Sequence, residues 1–152
     1  MRPNFRIAAF RVTRRYAFAA SHRLDSPLLT PEENRALYGK CNNPYGHGHN
    51  YVVEVSACGP TDPSTGRAVQ IEALDQLVAR EVLEPFDQRN LNTDVPAFQH
   101  AVPTTENLAA EICRRLKSRW RTVFPGEWPH LEKVRIEETA RNIFEVTADE
   151  IE

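Results

Sequence analysis

Three histidines stand where their side chains could share one ion: His22, and the pair His47 and His49. Residues two apart on a strand send both side chains to one face, so His47 and His49 aim the same way. Gly48 between them removes a side chain that could crowd them. If a strand ending at His22 pairs antiparallel with one beginning at His47, the adjoining ends bring all three imidazoles to one spot. Three neutral imidazoles suit Zn2+ and leave its fourth position open, as in a catalytic rather than a structural centre. The spacing is also met by ordinary polar histidines beside a loop.

Cys41 precedes them in GKCNNPYGHGHNY. Near a divalent cation and Lys40 its thiolate would be favoured, which suits a base or a nucleophile. The alternative, a small buried hydrophobe, fits Cys58 at a strand end and Cys113 beside Ile112 better than a cysteine in a Pro/Asn/Gly loop. Glu138 shares the strand parity of Val134 and Ile136, so it points to the covered side of its sheet. A carboxylate there either pairs with a basic side chain or grips adjacent donors on a planar ligand, such as the ring N–H and amino groups of a pterin or guanine. Asp87, in FDQRNLN, either caps a turn or relays a proton.

The elements that must position these groups follow from periodicity. Residues 5–21 alternate in patches, Phe5, Ile7, Ala9 and then Tyr16, Phe18, Ala20, His22, which predicts one long strand. A loop over 24–45 holds a short helix over 31–38, with Thr30 as N-cap and Pro31 in the first turn. Residues 50–58 alternate as a second strand, closed by Gly59-Pro60. Helical spacing returns from Ile71 to Glu84, with an expected stop before Pro85. A second helix begins at Thr104 or Thr105 and carries Leu108, Ala109, Ile112, Leu116 and Trp120 on one stripe. Strands over 131–139 and 141–147 complete the order ββααββ. This is an α+β pattern, a four-stranded antiparallel sheet with two helices on one face. Such a layer leaves long edges, which are closed by barrel formation or by pairing with another copy, so a homo-oligomer is expected.

The chain's 152 residues suit one domain over 1–152. Its formal charge of −2 lacks the basic footprint of a nonspecific nucleic-acid binder. No apolar run approaches the roughly 20 residues of a membrane span, and Arg6 and Arg11 interrupt any signal-peptide core. A cytoplasmic protein is therefore expected, with neither nucleic acid nor membrane as partner. Cys41, Cys58 and Cys113 are odd in number and widely spaced, so each reads as a thiol and not as part of a disulfide framework.

FAASHRL, GKCNNPYGHGHNY, TGRAVQIEAL, EPFDQRNLN, PTTEN and VRIEET, in this order, closely resemble the 6-pyruvoyltetrahydropterin synthase family. The resemblance covers nearly the whole chain. It implies the tunnelling fold (T-fold), a hexamer of two trimeric barrels, and active sites between subunits. It implies that His22, His47 and His49 hold zinc, that Cys41 is the proton-abstracting base, and that Glu138 anchors the pterin ring. Thr104 and Thr105 would contact the pterin of a neighbouring subunit. Asp87 matches the acid of the family's Asp-His pair, but Gln88 stands where the family has histidine, and an amide cannot shuttle a proton.

The implied reaction converts 7,8-dihydroneopterin triphosphate to 6-pyruvoyltetrahydropterin with loss of triphosphate and no nicotinamide. The absence of a GxGxxG fingerprint agrees with this. Arg14, Arg15, Arg23 and Lys40 are candidates to neutralise the triphosphate, against a solvated role for each. A branch of the family making 6-carboxytetrahydropterin generally has three residues between the cysteine and the His-Gly-His pair. Cys41 and His47 enclose five, which favours the pyruvoyl branch. Gln88 leaves open a related pterin enzyme with another product, one that cleaves the side chain, or a pterin-binding protein that has lost turnover.

Overall fold

Alternating apolar residues on two long strands build the centre of the molecule, seen here in a computed structural model that describes residues 8–152. Strand β1 spans Ala9–His22 and β2 spans His47–Pro60. They pair antiparallel along their whole length, with His22 opposite His47 and Ala20 opposite His49. Phe5 and Ile7, assigned to the first strand from sequence, lie outside the described residues.

Between these strands, α1 (Pro31–Tyr38) begins at a capping box in which Thr30 and Glu33 each bond the other's backbone N–H. A 3-10 turn follows at Gly39–Asn42. Buried Asn34 and Asn42 tie the segment down: Asn34 bonds Ser26 through both its amide oxygen and its nitrogen, and Asn42 donates to Leu24 O at 2.7 Å. These side chains answer backbone groups that a loop would otherwise leave unpaired against the core.

The helix expected to stop before Pro85 does not stop there. Helix α2 (Ile71–Val78) passes into a π-helical turn at Ala79–Leu83 and then into α3 (Glu84–Phe86). Pro85 is the second residue of that last stretch, directly after the π-helical turn, whose wider i to i−5 bonding precedes the residue that lacks an N–H. The chain then forms β3 (Arg89–Asn90), the short α4 (Leu91–Asp94) and a 3-10 turn at Pro96–Phe98. Helix α5 (Thr105–Val123) starts at the N-cap Thr104, as its pattern predicts. Strands β4 (His130–Glu137) and β5 (Ile143–Thr147) close the sheet, whose order is β3-β1-β2-β4-β5.

The four long strands are antiparallel as expected. The fifth, β3, pairs parallel to β1 over Ala20 and Ser21 and makes the sheet mixed. Two residues are too few to show a period, so no sequence pattern announces it. Tyr51, Val53, Val55, Val134 and Ile136 on one sheet face pack with Leu74, Leu77, Leu108, Ile112 and Leu116 of the helices, all fully buried. Burying each such residue stabilises the fold by about 1.5–3 kcal/mol. On the other face Arg11, Thr13, Arg15 and Ala17 of β1 are exposed, and Arg15 and Arg135 both pair there with Glu54.

Candidate active site

The β1–β2 register places His22, His47 and His49 together at the strand ends, on the helix-covered face. His22 Nε2 lies 3.2 Å from His47 Nε2, and His47 Nε2 lies 2.8 Å from His49 Nε2. The three rings stand nearly perpendicular to one another, with centroids 4.6 to 5.0 Å apart.

Gly46 permits this closure. At φ 71° it occupies the left-handed region, and a Cβ there would lie 2.8 Å from His22 O. A side chain at Gly48 would meet only Ala20 O at an ordinary 3.7 Å, so the glycine that the geometry requires is Gly46.

His22 Nδ1 lies 2.9 Å from Pro103 O. A carbonyl only accepts, so the proton of neutral His22 sits on Nδ1 and the lone pair of Nε2 faces the other two rings. His47 Nε2 could donate to one neighbour but not to both. At least one short nitrogen pair is therefore left without a hydrogen bond between its atoms, and His47 Nδ1 is buried without a partner. A cation at the centre removes the conflict, because all three Nε2 atoms then act as ligands.

The donor set fits that group. Zn–N bonds of about 2.0–2.1 Å in a tetrahedron place nitrogens roughly 3.3 Å apart, close to the spacing here. Burial lowers the pKa of His22 and of His49, which favours the neutral form that can ligate.

Cys41 is held against this centre by its own backbone, since Leu24 N–H donates to Cys41 O at 2.7 Å. His22, Cys41 and His47 offer ligand atoms within 4.8 Å of one another, and so do His22, His49 and Glu138. Burial pushes the Cys41 thiol up, and the Glu138 carboxylate adds to the shift. A bound cation would act the opposite way. Glu138 lies just past β4, where its N–H donates to Asn142 O at 3.0 Å. Its carboxylate reaches to 3.5 Å from His49 Nε2 and 4.0 Å from His22 Nε2, on the covered side that strand parity predicts.

Asp87 and Gln88 stand along the outer edge of β1. Asp87 Oδ1 accepts Ala19 N–H at 3.0 Å, and Gln88 N–H donates to Ala19 O at 2.6 Å. Gln88 has a φ of 61° and lines a groove of about 550 Å³ with Ser21, His49, Asn50 and Arg89. Among the described residues no hydrogen bond or ion pair joins Asp87 or Gln88 to Cys41 or Glu138. Thr104 Oγ1 caps α5 by accepting Asn107 N–H at 3.2 Å, and Thr105 Oγ1 is buried without a partner.

Of the cations considered for triphosphate, Arg14 is engaged by Asp75, Arg15 by Glu54 and Arg23 by Asp25. Lys40 and Arg89 form no ion pair among the described residues. Two neighbours of the centre were not singled out from sequence, Tyr51 and Pro103. Tyr51 shares strand parity with His47 and His49 and was legible in that way. Pro103 is remote along the sequence and leaves no such signal.

A family model described as 6-pyruvoyl tetrahydropterin synthase matches residues 11–149. The 6-pyruvoyl tetrahydrobiopterin synthase of Homo sapiens is 46% identical over 132 residues, covering 87% of each chain. That of Poecilia reticulata is 45% identical, covering 87% of this chain and 86% of the relative. Among solved structures, the 6-pyruvoyl tetrahydropterin synthase of Caenorhabditis elegans superposes with a TM-score of 0.86 at 40% identity, covering 94% of this chain and 98% of that one.

Proposed function

The chain belongs to the 6-pyruvoyl tetrahydropterin synthase family, and from that premise we propose that it is a zinc-dependent carbon–oxygen lyase. Its substrate is 7,8-dihydroneopterin triphosphate, and its products are 6-pyruvoyltetrahydropterin and triphosphate. The activity serves tetrahydrobiopterin-type pterin biosynthesis in the cytoplasm. The observation that carries it is the convergence of three Nε2 atoms beside a thiol and a carboxylate.

His22, His47 and His49 would hold the ion, and zinc there supplies Lewis acidity to the substrate's side arm. The Cys41 Sγ, as a thiolate, takes a proton from a carbon of that arm. Glu138 accepts two parallel hydrogen bonds from the pterin ring N–H and amino group, which fixes the ring's orientation. Thr104 and Thr105 stand at the start of α5, directly after Pro103; half-buried Thr104 is the one open to the pterin of a neighbouring subunit, while Thr105 is buried within the protomer. Among the described residues Asp87 and Gln88 make no hydrogen bond or ion pair with Cys41, which suits a site completed between subunits. The lone Arg89, in the groove with Gln88, suits the triphosphate arm.

The assembly proposed is a homohexamer, a dimer of trimers. On the outer edge of β1, β3 pairs with only two residues, and Phe10 of β1 and Ile143 of the edge strand β5 are exposed. A strand edge of that length is a template for another copy.

Zinc-loaded protein incubated with dihydroneopterin triphosphate should release triphosphate and form the pyruvoyl product. A second reading rests on Gln88, whose amide cannot carry a proton: a related enzyme with an altered product, such as 6-carboxytetrahydropterin or a shortened side arm, or a pterin-binding protein without turnover. Triphosphate release with a different product supports the altered enzyme, and tight binding without turnover supports the binding protein. Gln88→His should raise the pyruvoyl rate under the lyase reading, by no more than the about 10²-fold low end for a general acid or base. An unchanged rate means that the proton travels through another group.

A further inference from the structure

Tyr51 lies at the bottom of the site, with no surface open to solvent. Its ring stacks on Phe18 at 5.2 Å between centroids and meets His49 edge-on at 5.5 Å. Its hydroxyl is 3.4 Å from His22 Nδ1. A buried tyrosine normally finds a partner for its hydroxyl, and here the partner is the far side of a proposed ligand.

The Nδ1 proton of His22 already points to Pro103 O, so the Tyr51 oxygen takes a second, weaker share of it as an acceptor. Two acceptors then bracket one N–H. The two differ in how firmly they are held. Pro103 lies in the loop before α5, whereas Tyr51 sits in the middle of the β1–β2 ladder, directly opposite Phe18.

We infer that Tyr51 is a positioning residue for His22: its hydroxyl, with the Pro103 carbonyl, locks the imidazole so that Nε2 faces the ion. The inference rests on the proposed metal centre. A lone carbonyl restrains one direction and leaves the ring free to swing about its axis. A second acceptor on the rigid sheet removes that freedom, and two acceptors on Nδ1–H raise the electron density at Nε2. The same contact links the start of α5 to the centre, because Pro103 immediately precedes the cap Thr104.

The test is Tyr51→Phe, which deletes one oxygen and keeps the ring in its stack. Zinc affinity is measured by chelator competition, the visible spectrum is recorded on the cobalt-substituted protein, and melting is followed on the metal-free protein. Zinc affinity should fall about tenfold, at the low end of the roughly 10–100-fold range for groups that orient a ligand. The cobalt bands should shift, while metal-free melting stays near that of the parent. Parental affinity together with a parental cobalt spectrum overturns the inference. If metal-free melting also falls, the cobalt spectrum decides, since a loss of packing alone leaves the ligand field of the bound ion unchanged. A parent protein that binds no zinc overturns the metal centre itself, an outcome distinct from failure of the Tyr51 variant.

Discussion

One face of β1 carries two polar clusters, and they are built on opposite terms. At one end, Arg14 forms a two-pronged pair with Asp75 of α2, at 3.1 and 2.8 Å, and the Tyr16 hydroxyl donates to the same carboxylate at 2.7 Å. Both carboxylate oxygens and the Tyr16 hydroxyl are answered there inside the protomer. At the other end, beyond Phe18 and Ala20, His22 meets His47 and His49 with nitrogen facing nitrogen. The first cluster pins a helix to the sheet. The second is incomplete by its own chemistry, and an incomplete polar cluster kept at the edge of a core is one that expects something else.

The sharpest way to break this contrast is to remove one nitrogen from the unanswered cluster. His47→Ala should cut zinc affinity by more than the roughly 100-fold ceiling for groups that merely orient a ligand, and triphosphate release should vanish with it. Metal content after dialysis checks the first expectation. Zinc retained at parental affinity would mean that the convergence of rings has another cause.

Cys41→Ser sharpens the contrast from within the site. The thiol is held by the Leu24–Cys41 backbone bond and touches the centre without being one of its three imidazoles. Turnover should fall by about 10²–10⁴-fold, as for loss of a positioned acid or base, while zinc content stays near parental. A variant that loses its zinc as well would reassign Cys41 from base to ligand.

Much of this site was legible because its parts obey strand parity. His47 and His49 share a face, His22 sits opposite His47, and Glu138 continues the parity of Val134 and Ile136 even though β4 ends at Glu137. Thr30 and Thr104 announced their helices through capping chemistry that depends on a few adjacent residues. The remainder depended on contacts that no local pattern encodes. The π-helical turn let α2 run on through Pro85, β3 is too short to show a period, and Pro103 reaches His22 across most of the sequence. Asp87 shows how one residue type serves two readings: its carboxylate accepts the Ala19 N–H at the edge of β1, a structural contact that a proton-relaying acid of the same type would also be free to make.

The smallest expected effect lies in the answered cluster and concerns stability rather than chemistry. The Arg14 guanidinium, with help from the Tyr16 hydroxyl, holds the Asp75 carboxyl below its ordinary value. The unfolded polypeptide, with an aspartate near pH 3.9, therefore binds this proton more readily than the folded one. The stabilisation is complete above about pH 4 and is lost as the pH falls through the depressed folded value. Asp75→Asn should be less stable than the parent at neutral pH, and the gap should close as the solution is acidified, read by urea unfolding of metal-free protein. Because Arg14 and Asp75 are both more than a third exposed, solvent and salt screen the pair, so the neutral-pH gap should be small and should narrow further at high ionic strength. A gap constant with pH would place the contribution of Asp75 in packing and not in charge. Triphosphate release should be unaffected, since Asp75 bonds only Arg14 and Tyr16 among the described residues and neither stands at the proposed centre.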